Sequence, residues 1–473
     1  MGIATTHPRL QKIDRFLYSP AFFLLLGILT VLSNVFALEF FSYTCFILIA
    51  CYICLLGRDL LPLMPMFACG YISPSASNNP GFNEASIFSL EGGGVYIAVL
   101  VVAVSVCLVY RLVTDPDFGG RKFLAKKRKL LPGMCILGIC YAISGLGSGQ
   151  WEICGWRNLL FAFLQFVAIA GLYYLLSGSV KWEQAPKAYL SWTGICVGYV
   201  LLAELLSIYI EKDVFVNGSI VRDCLTTGWG HYNNMGALFT LLIPLPFYLT
   251  GKGRYAWFAY VTAFVFWVGL LLTCSRGSIV VGTVIFGLGY ILSLVHSHHA
   301  RAQIGVHAVA ILLPVLLAIF FRKELEQLFG QVSNIGFASF SQRSEGYMAG
   351  IRQFLKYPVF GGTFFPVDYD LYVWAPLESF TNLFPPRWHN TAIQLLATGG
   401  ITCFAAYCYH RFQTLKLFLK KPLGGKAFAG LSVLALLMTS LIDCHFFNVG
   451  PVLLYSATLA FVEFRLDGTD KKA

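Results

Sequence analysis

The chain has 473 residues, of which 57% are hydrophobic and only 12% charged, with a formal net charge of +11. Soluble domains carry about 25% charged residues, so water is excluded as the main solvent and lipid takes its place. The positive excess reads as the Lys/Arg bias of cytoplasmic loops, not as a nucleic-acid surface.

The apolar runs are helix-length and not short and alternating. Backbone groups in lipid must pair internally, so a helical bundle is expected in place of a barrel. In chain order the runs predict spans over 16–36, 40–57, 60–74, 91–111, 131–148, 157–176, 190–210, 231–250, 256–274, 278–295, 304–321, 389–410, 428–442 and 449–464. The run 60–74 is short and interrupted by Pro62 and Pro65. The first run reads as a retained helix, because Val35-Phe36-Ala37 is a poor cleavage site. Four regions follow: N-terminal membrane helices (1–230), helices with an Arg-Gly motif (231–321), one long hydrophilic excursion (322–388) and C-terminal helices (389–473). The cysteines read as small apolar side chains and not as a disulfide frame.

With the N-terminus inside and all fourteen runs crossing, the inner segments hold 24 of the 34 Lys and Arg. Each inner segment carries at least one, as the positive-inside rule requires. The basic loop Arg121–Lys129 is then an orientation signal. The excursion 322–388 falls outside, where no ATP is available, so a reaction there needs a substrate that brings its own energy.

Three motifs face that side. Thr273-Cys274-Ser275-Arg276-Gly277-Ser278 separates two apolar helices. It reads as a tight turn with Arg276 snorkelling to head groups. It reads equally as an anion site: Gly277 permits close approach, Ser278 opens a helix whose first amides favour phosphate, and the guanidinium adds a two-pronged contact. The second motif is Ser341–Tyr347 followed by Tyr357-Pro358-Val359-Phe360-Gly361-Gly362. Helical spacing puts Arg343, Tyr347, Ile351 and Phe354 near one face, and Pro358 with the glycine pair ends the helix. A helix lying on the outer leaflet and a second phosphate ligand at Arg343 are both open. The third is Trp388-His389-Asn390-Thr391 with Gln394 and Gly399-Gly400. His389 and Gly400 are three helical turns apart and so share a face, and a small residue there lets a neighbouring helix approach. His389 reads as an interfacial histidine or as a general base whose pKa adjacent guanidinium groups lower. His231-Tyr232-Asn233-Asn234 reads as a helix cap or a sugar contact, and Asp443 with His445 as a cap or turn. Glu345, Asp368, Asp370 and Glu378 are candidate partners for the arginines or for His389. His296, His298 and His299 form a small inner cluster that reads weakly as a metal site.

Taken in this order, Arg276-Gly277, Arg343, Pro358-Val359-Phe360-Gly361-Gly362 and His389-Asn390 with Gly400 resemble the O-antigen ligase / polymerase superfamily of bacterial envelope enzymes, over roughly residues 231–410. Thr398, Cys403 and Tyr347 depart from the ligase pattern, where an acid, a small residue and a tryptophan are frequent. The resemblance implies an all-α, polytopic membrane helical bundle, GT-C-like, with about 12–14 transmembrane helices and one large extracytoplasmic loop. It implies the bacterial cytoplasmic membrane, with both termini cytoplasmic. It also implies a glycan donor on undecaprenyl pyrophosphate, a glycan, glycolipid or protein acceptor, the lipid bilayer as a partner, and no nucleic acid, metal or other cofactor. In that scheme His389 is catalytic, Arg276 and Arg343 hold the pyrophosphate, and Gly277, Ser278, Asn390, Gly400 and Tyr347 support them, with inversion at the sugar. A repeat-unit polymerase is the alternative within the class. A polysaccharide transporter or flippase is the alternative outside it, disfavoured because the ionisable clusters lie at the rim and not at the midplane.

Topology is directly testable. Alkaline phosphatase inserted between Gly330 and Gln331 is expected to be active, and inserted between Lys420 and Lys421 inactive; the opposite pattern inverts the assignment.

Overall fold

The computed structural model describes residues 8–36, 38–70, 93–115, 126–212, 214–216, 219–221, 224–227, 230–296, 336–365, 388–420 and 425–466. Pro20 bars its predecessor from helical geometry. Ser19 is accordingly extended, and α1 (Pro8–Leu17) meets α2 (Pro20–Asn34) at a 73° bend. There follow α3 (Glu39–Leu56), α4 (Leu63–Gly70), α5 (Gly93–Thr114), α6 (Leu131–Ala142) and α7 (Trp151–Phe166), which runs through a π turn into α8 (Leu172–Ser179). Next come α9 (Tyr189–Glu211), α10 (Tyr232–Leu242), α11 (Ala256–Leu272), α12 (Arg276–His296) and α13 (Gly336–Lys356). The chain closes with α14 (Thr391–Leu419), α15 (Gly425–Ser440) and α16 (Val449–Phe461). The strands among the described residues form two short hairpins, Phe215–Val216 with Ser219–Ile220 and Thr226–Thr227 with Gly230–His231.

This is an all-α, multi-pass membrane protein. Among the described residues six helical stretches are long and apolar enough to cross a bilayer, or seven if the bent α1–α2 pair is one span, and five shorter apolar helices accompany them. Large apolar side chains point outward without cover, as with Val113 and Ile210 at 80% and 85% exposure. The expected span 60–74 contains the eight-residue α4, about 12 Å long, packed against α2, α3 and α9. The expected span 131–148 is shorter, because its helix stops at Ala142. The far end of 60–74, the whole of 304–321 and much of 322–388 lie outside the described residues.

Charges assigned to the inner side by sequence cluster at one end. Arg58 lies 3.9 Å from Asp14 and 3.5 Å from Asp59, which also accepts from the Lys181 amide. Glu463 accepts from the Lys129 amide at 2.7 Å. Arg411 departs from its expected place in an inner loop. α14 continues to Leu419, so Arg411 lies within the helix, its guanidinium enclosed by the rings of Phe446, Tyr407 and Tyr455 at 4.1, 4.7 and 4.9 Å. Cation–π attraction is strongest where water is excluded, which suits this cage.

The feature that positions the site is a break in α14. Gly400 has φ 65° and ψ −164°, outside helical geometry. The main-chain groups freed there would be costly in lipid, and the turn after α13 supplies their partners. Gly362 N donates to Ala397 O at 2.9 Å and Thr363 N to Thr398 O at 3.0 Å, while Ile401 N donates to Pro358 O at 2.9 Å. The approach is close enough that a Cβ on Gly400 would lie 2.3 Å from Val359 O, and one on Gly361, at φ +70°, 2.3 Å from the Thr398 carbonyl. The first half of the chain closes the arrangement. Gly145 N donates to Phe360 O, and Ser144 Oγ to Thr398 O. Buried Asn158 gives its amide hydrogens to Tyr141 O and Ser144 O and accepts from Thr363 Oγ1 and Phe364 N. The expectation that Gly400 admits a neighbouring helix is thus corrected: it admits a turn. The three-turn, same-face relation to His389 fails as well, because the helix is not continuous between them.

Gly400→Ala is expected to lower stability by about 2 kcal/mol or more, from the left-handed backbone and the overlap. Gly287→Ala, where a Cβ meets nothing within 4 Å, is expected to be neutral or mildly stabilising. Thermal unfolding of the two purified variants in detergent distinguishes them.

Candidate active site

A helix leaves its last carbonyls without intrahelical partners. The turn that follows α15, Leu441–Asp443, extends that need beyond the helix, and its carbonyls become the assembly point for the three motifs. Asn390 Nδ2 donates to Leu441 O at 2.8 Å, Arg343 Nη1 to Ile442 O at 3.2 Å, and Thr391 Oγ1 to Asp443 O at 3.4 Å. Asn390 is also the N-cap of α14, its Oδ1 accepting from the amides of Ala392 and Ile393. Gly277 packs on the same turn, where a Cβ would come 2.5 Å from Ile442 Cγ2. Gly277 also lines the cavity beside Arg276.

His389 lies at the rim with its side chain 48% exposed, and its Nδ1 is 3.3 Å from Asp443 Oδ1. Tyr347 Oη donates to His389 O at 3.2 Å. Trp388 anchors the preceding residue against Ala349, Ala397 and Ile393, and its amide donates to Gln394 Oε1. Asp443 is held in turn: Asn233 Nδ2 donates to its Oδ2 at 3.1 Å, the Cys444 amide to its Oδ1 at 2.7 Å, and Ser275 Oγ to Asn233 Oδ1 at 2.9 Å. Burial acts to raise the Asp443 pKa. The His389 hydrogen bond, the positive charge available on His445 and His389, and the Cys444 amide outweigh it, and the carboxyl stays well below its usual range. A histidine so paired donates from Nδ1 and leaves Nε2 to accept a proton.

Tyr232, Asn233, Ser275, Arg276, Ser278, Arg343, Asp443 and His445 help line a cavity of about 100 Å³. Two guanidinium groups, Arg276 and Arg343, border it, and that suits a phosphate. Arg276 is the first residue of α12, so the helix begins two residues earlier than expected from Ser278. Ser278 lies in the first turn, its Oγ accepting from Ser275 Oγ at 3.1 Å. Cys274 and His389 both have positive φ, 54° and 51°. Each precedes or forms a site residue, and such backbone costs of order 1–3 kcal/mol. On α13, Arg343 and Tyr347 both reach the site, but Ile351 is 40% exposed and the buried positions are Ala349, Gly350 and Gln353. The face inferred from helical spacing is therefore shifted. α13 packs on α14, with a Cβ on Gly350 meeting Ile393 and Trp388, and so does not lie apart from the bundle.

The structure thus brings Arg276, Arg343, His389, Asn390 and Tyr347 to one turn, and leaves Gly400 beneath it in the break of α14. Asp368, Asp370, Glu378, His298 and His299 lie outside the described residues, and Glu345 is exposed. Asp443, Asn233 and Ser275 form a connected set with His389 that sequence reasoning did not join. Asp443 read as a turn residue and Asn233 as a cap; their polar character at the outer rim was the available signal.

Residues 261–408 match the family model for O-Antigen ligase, a stretch that includes both arginines, the Pro-Gly turn and His389. No curated protein matches the chain. Asp443 and Asn233 fall outside the matched stretch.

A carboxyl whose folded pKa is depressed stabilises the fold fully above its unfolded value, near 3.9, and loses that contribution as pH falls toward the folded one. Thermal unfolding against pH should therefore show Asp443→Asn less stable than wild type by a constant margin from about pH 8 to 5, narrowing below roughly pH 4. A gap that instead closes on raising the pH contradicts the pairing.

Proposed function

We propose that this chain, whose residues 261–408 match the O-Antigen ligase family model, is a membrane glycan-transferring enzyme that moves a glycan from undecaprenyl pyrophosphate to an acceptor hydroxyl on the extracytoplasmic face of the bacterial cytoplasmic membrane. The observation that carries this reading is one cavity lined by Arg276, Arg343 and Asp443, the last of them paired with His389 at 3.3 Å.

The acceptor hydroxyl attacks the anomeric carbon as His389 Nε2 takes its proton. The bond from that carbon to the pyrophosphate oxygen breaks, its electron pair leaves with undecaprenyl pyrophosphate, and attack opposite the departing group inverts the centre. Asp443 holds the ring by Nδ1 and offsets the imidazolium charge. Arg276 and Arg343 neutralise the charge that grows on the pyrophosphate, and oriented donors of this kind supply roughly 3 kcal/mol each to a transition state. The half-exposed position of His389 suits an acceptor that arrives from the open side while the pyrophosphate occupies the cavity. A ligase, a protein-glycosylating enzyme and a repeat-unit polymerase share this chemistry and differ in acceptor. On gels of surface glycan from a deletion strain complemented with the gene, a polymerase restores a ladder of repeat lengths, whereas a ligase restores capping of preformed chains.

His389→Ala is expected to abolish transfer while leaving folded protein in the membrane, and full activity in that variant removes the base. Asp443→Asn should lower kcat on the order of 10²-fold or more, as the ring loses its charged partner. Arg276→Lys and Arg343→Lys keep charge but lose the two-pronged geometry and should cost about 10- to 100-fold in kcat/KM. Transfer from purified lipid-linked glycan in detergent measures all four.

A further inference from the structure

Asn233 lines the cavity and also touches the carboxylate behind His389, yet takes no part in the steps above. Asn233, Gly236 and Thr240 follow one face of α10 at helical spacing. Gly236 lets that face close on the turn that carries Arg276: a Cβ there would lie 2.7 Å from Ser275 Cβ and 2.8 Å from Ser278 Cβ. Thr240 Oγ1, 3.3 Å from Ser278 O, continues the contact one turn further on. This approach leaves Asn233 bridging Ser275 and Asp443. An ionised carboxylate accepts hydrogen bonds and cannot donate them, so Asp443 orients the Asn233 amide. Nδ2 faces Asp443 Oδ2 at 3.1 Å, and Oδ1 takes the Ser275 hydroxyl at 2.9 Å, the shorter of that hydroxyl's two side-chain contacts.

The other carboxylate oxygen, Oδ1, meets His389 Nδ1 and the Cys444 amide. Contacts at one oxygen alone leave a carboxyl group free to turn about its bond to Cβ. A hydrogen bond at the second oxygen fixes its plane, and with it the lone pair that faces the imidazole. We propose that Asn233 is a positioning residue for His389. It sets the plane of Asp443 and joins it through Ser275 to the turn that carries Arg276, so that the base and the pyrophosphate cavity keep one fixed relation. This rests on the reading of His389 as the base. Asn233 is supplied by α10, outside the family-matched segment.

The test measures transfer from undecaprenyl-pyrophosphate-linked glycan by the purified full-length protein in detergent. Asn233→Leu keeps the side-chain bulk and loses both hydrogen bonds. It should lower kcat about tenfold, the scale of one hydrogen bond to a charged group, with KM for the lipid donor within about threefold of wild type. In an Asp443→Asn background the same change should lower kcat by less than about twofold, because the carboxylate through which it acts is gone. Ser275→Ala should lower kcat about threefold alone, the scale of a neutral hydrogen bond, and not at all beside Asn233→Leu. Asn233→Ala takes the place of Asn233→Leu if the latter does not elute as a monodisperse peak. Full kcat in Asn233→Leu while Asp443→Asn is impaired overturns the role of Asn233 alone. A kcat loss that persists undiminished in the Asp443→Asn background overturns it as well, as does a raised KM for the lipid donor at unchanged kcat, which makes Asn233 a ligand of the substrate. Full activity of Asp443→Asn or His389→Ala removes the base pair itself, and the proposal with it.

Discussion

The turn Leu441-Ile442-Asp443 governs the site end of this molecule. Its carbonyls lie just beyond the last residue of α15, and backbone groups near lipid cannot be left without partners. Donors from distant segments satisfy them: Asn390 and Thr391 from the start of α14, and Arg343 from α13, while Asn233 from α10 binds the Asp443 carboxylate. One need, the pairing of orphaned main-chain oxygens, therefore does what no local sequence rule does. It gathers side chains from three helices within reach of one cavity. The Arg343 guanidinium is held by the backbone of a neighbour, so its geometry is fixed by the fold.

The same region concentrates backbone strain. His389 and Cys274 adopt the left-handed region without being glycine. Such conformations persist only where surroundings over-determine them. Around His389 those constraints are visible: the Tyr347 hydroxyl on its carbonyl, buried Trp388 before it and the Asn390 cap after it. The cost is plausible for a residue whose ring must face a carboxylate on one side and open space on the other.

Much of the bundle was legible in the sequence, because apolar runs of helix length leave few alternatives in lipid. The described helices follow those runs closely at 190–210, 278–295 and 449–464. The reading failed where a partner far along the chain decided the outcome. Gly399-Gly400 looked like a small-residue packing surface; only the turn at residues 358–362, which pairs with the freed main chain, makes it a break. Arg411 looked like a loop charge, and only the rings of Phe446 and Tyr455 show how a guanidinium is kept inside the helix. At the site, Arg276 and His389 were visible because each stands at a helix end in a recognisable local pattern, and Arg343 because it lies on a helix closed by the Pro358 turn. Asp443 was not, since nothing around it announces a histidine on another helix. Of the acids that sequence reasoning offered as partners, Glu345 is exposed and Asp368, Asp370 and Glu378 lie outside the described residues.

The break in α14 bears on how such chains recombine. Its freed main-chain groups are matched by the turn at residues 358–362, and that turn is in turn gripped by Ser144, Gly145 and Asn158 from the first half. The stretch from α13 to α14 is therefore no cassette. Grafted onto the N-terminal helices of a distant relative, it would carry an interrupted span into a bilayer without the side chains that complete it, so exchange between lineages is viable only when both halves travel together.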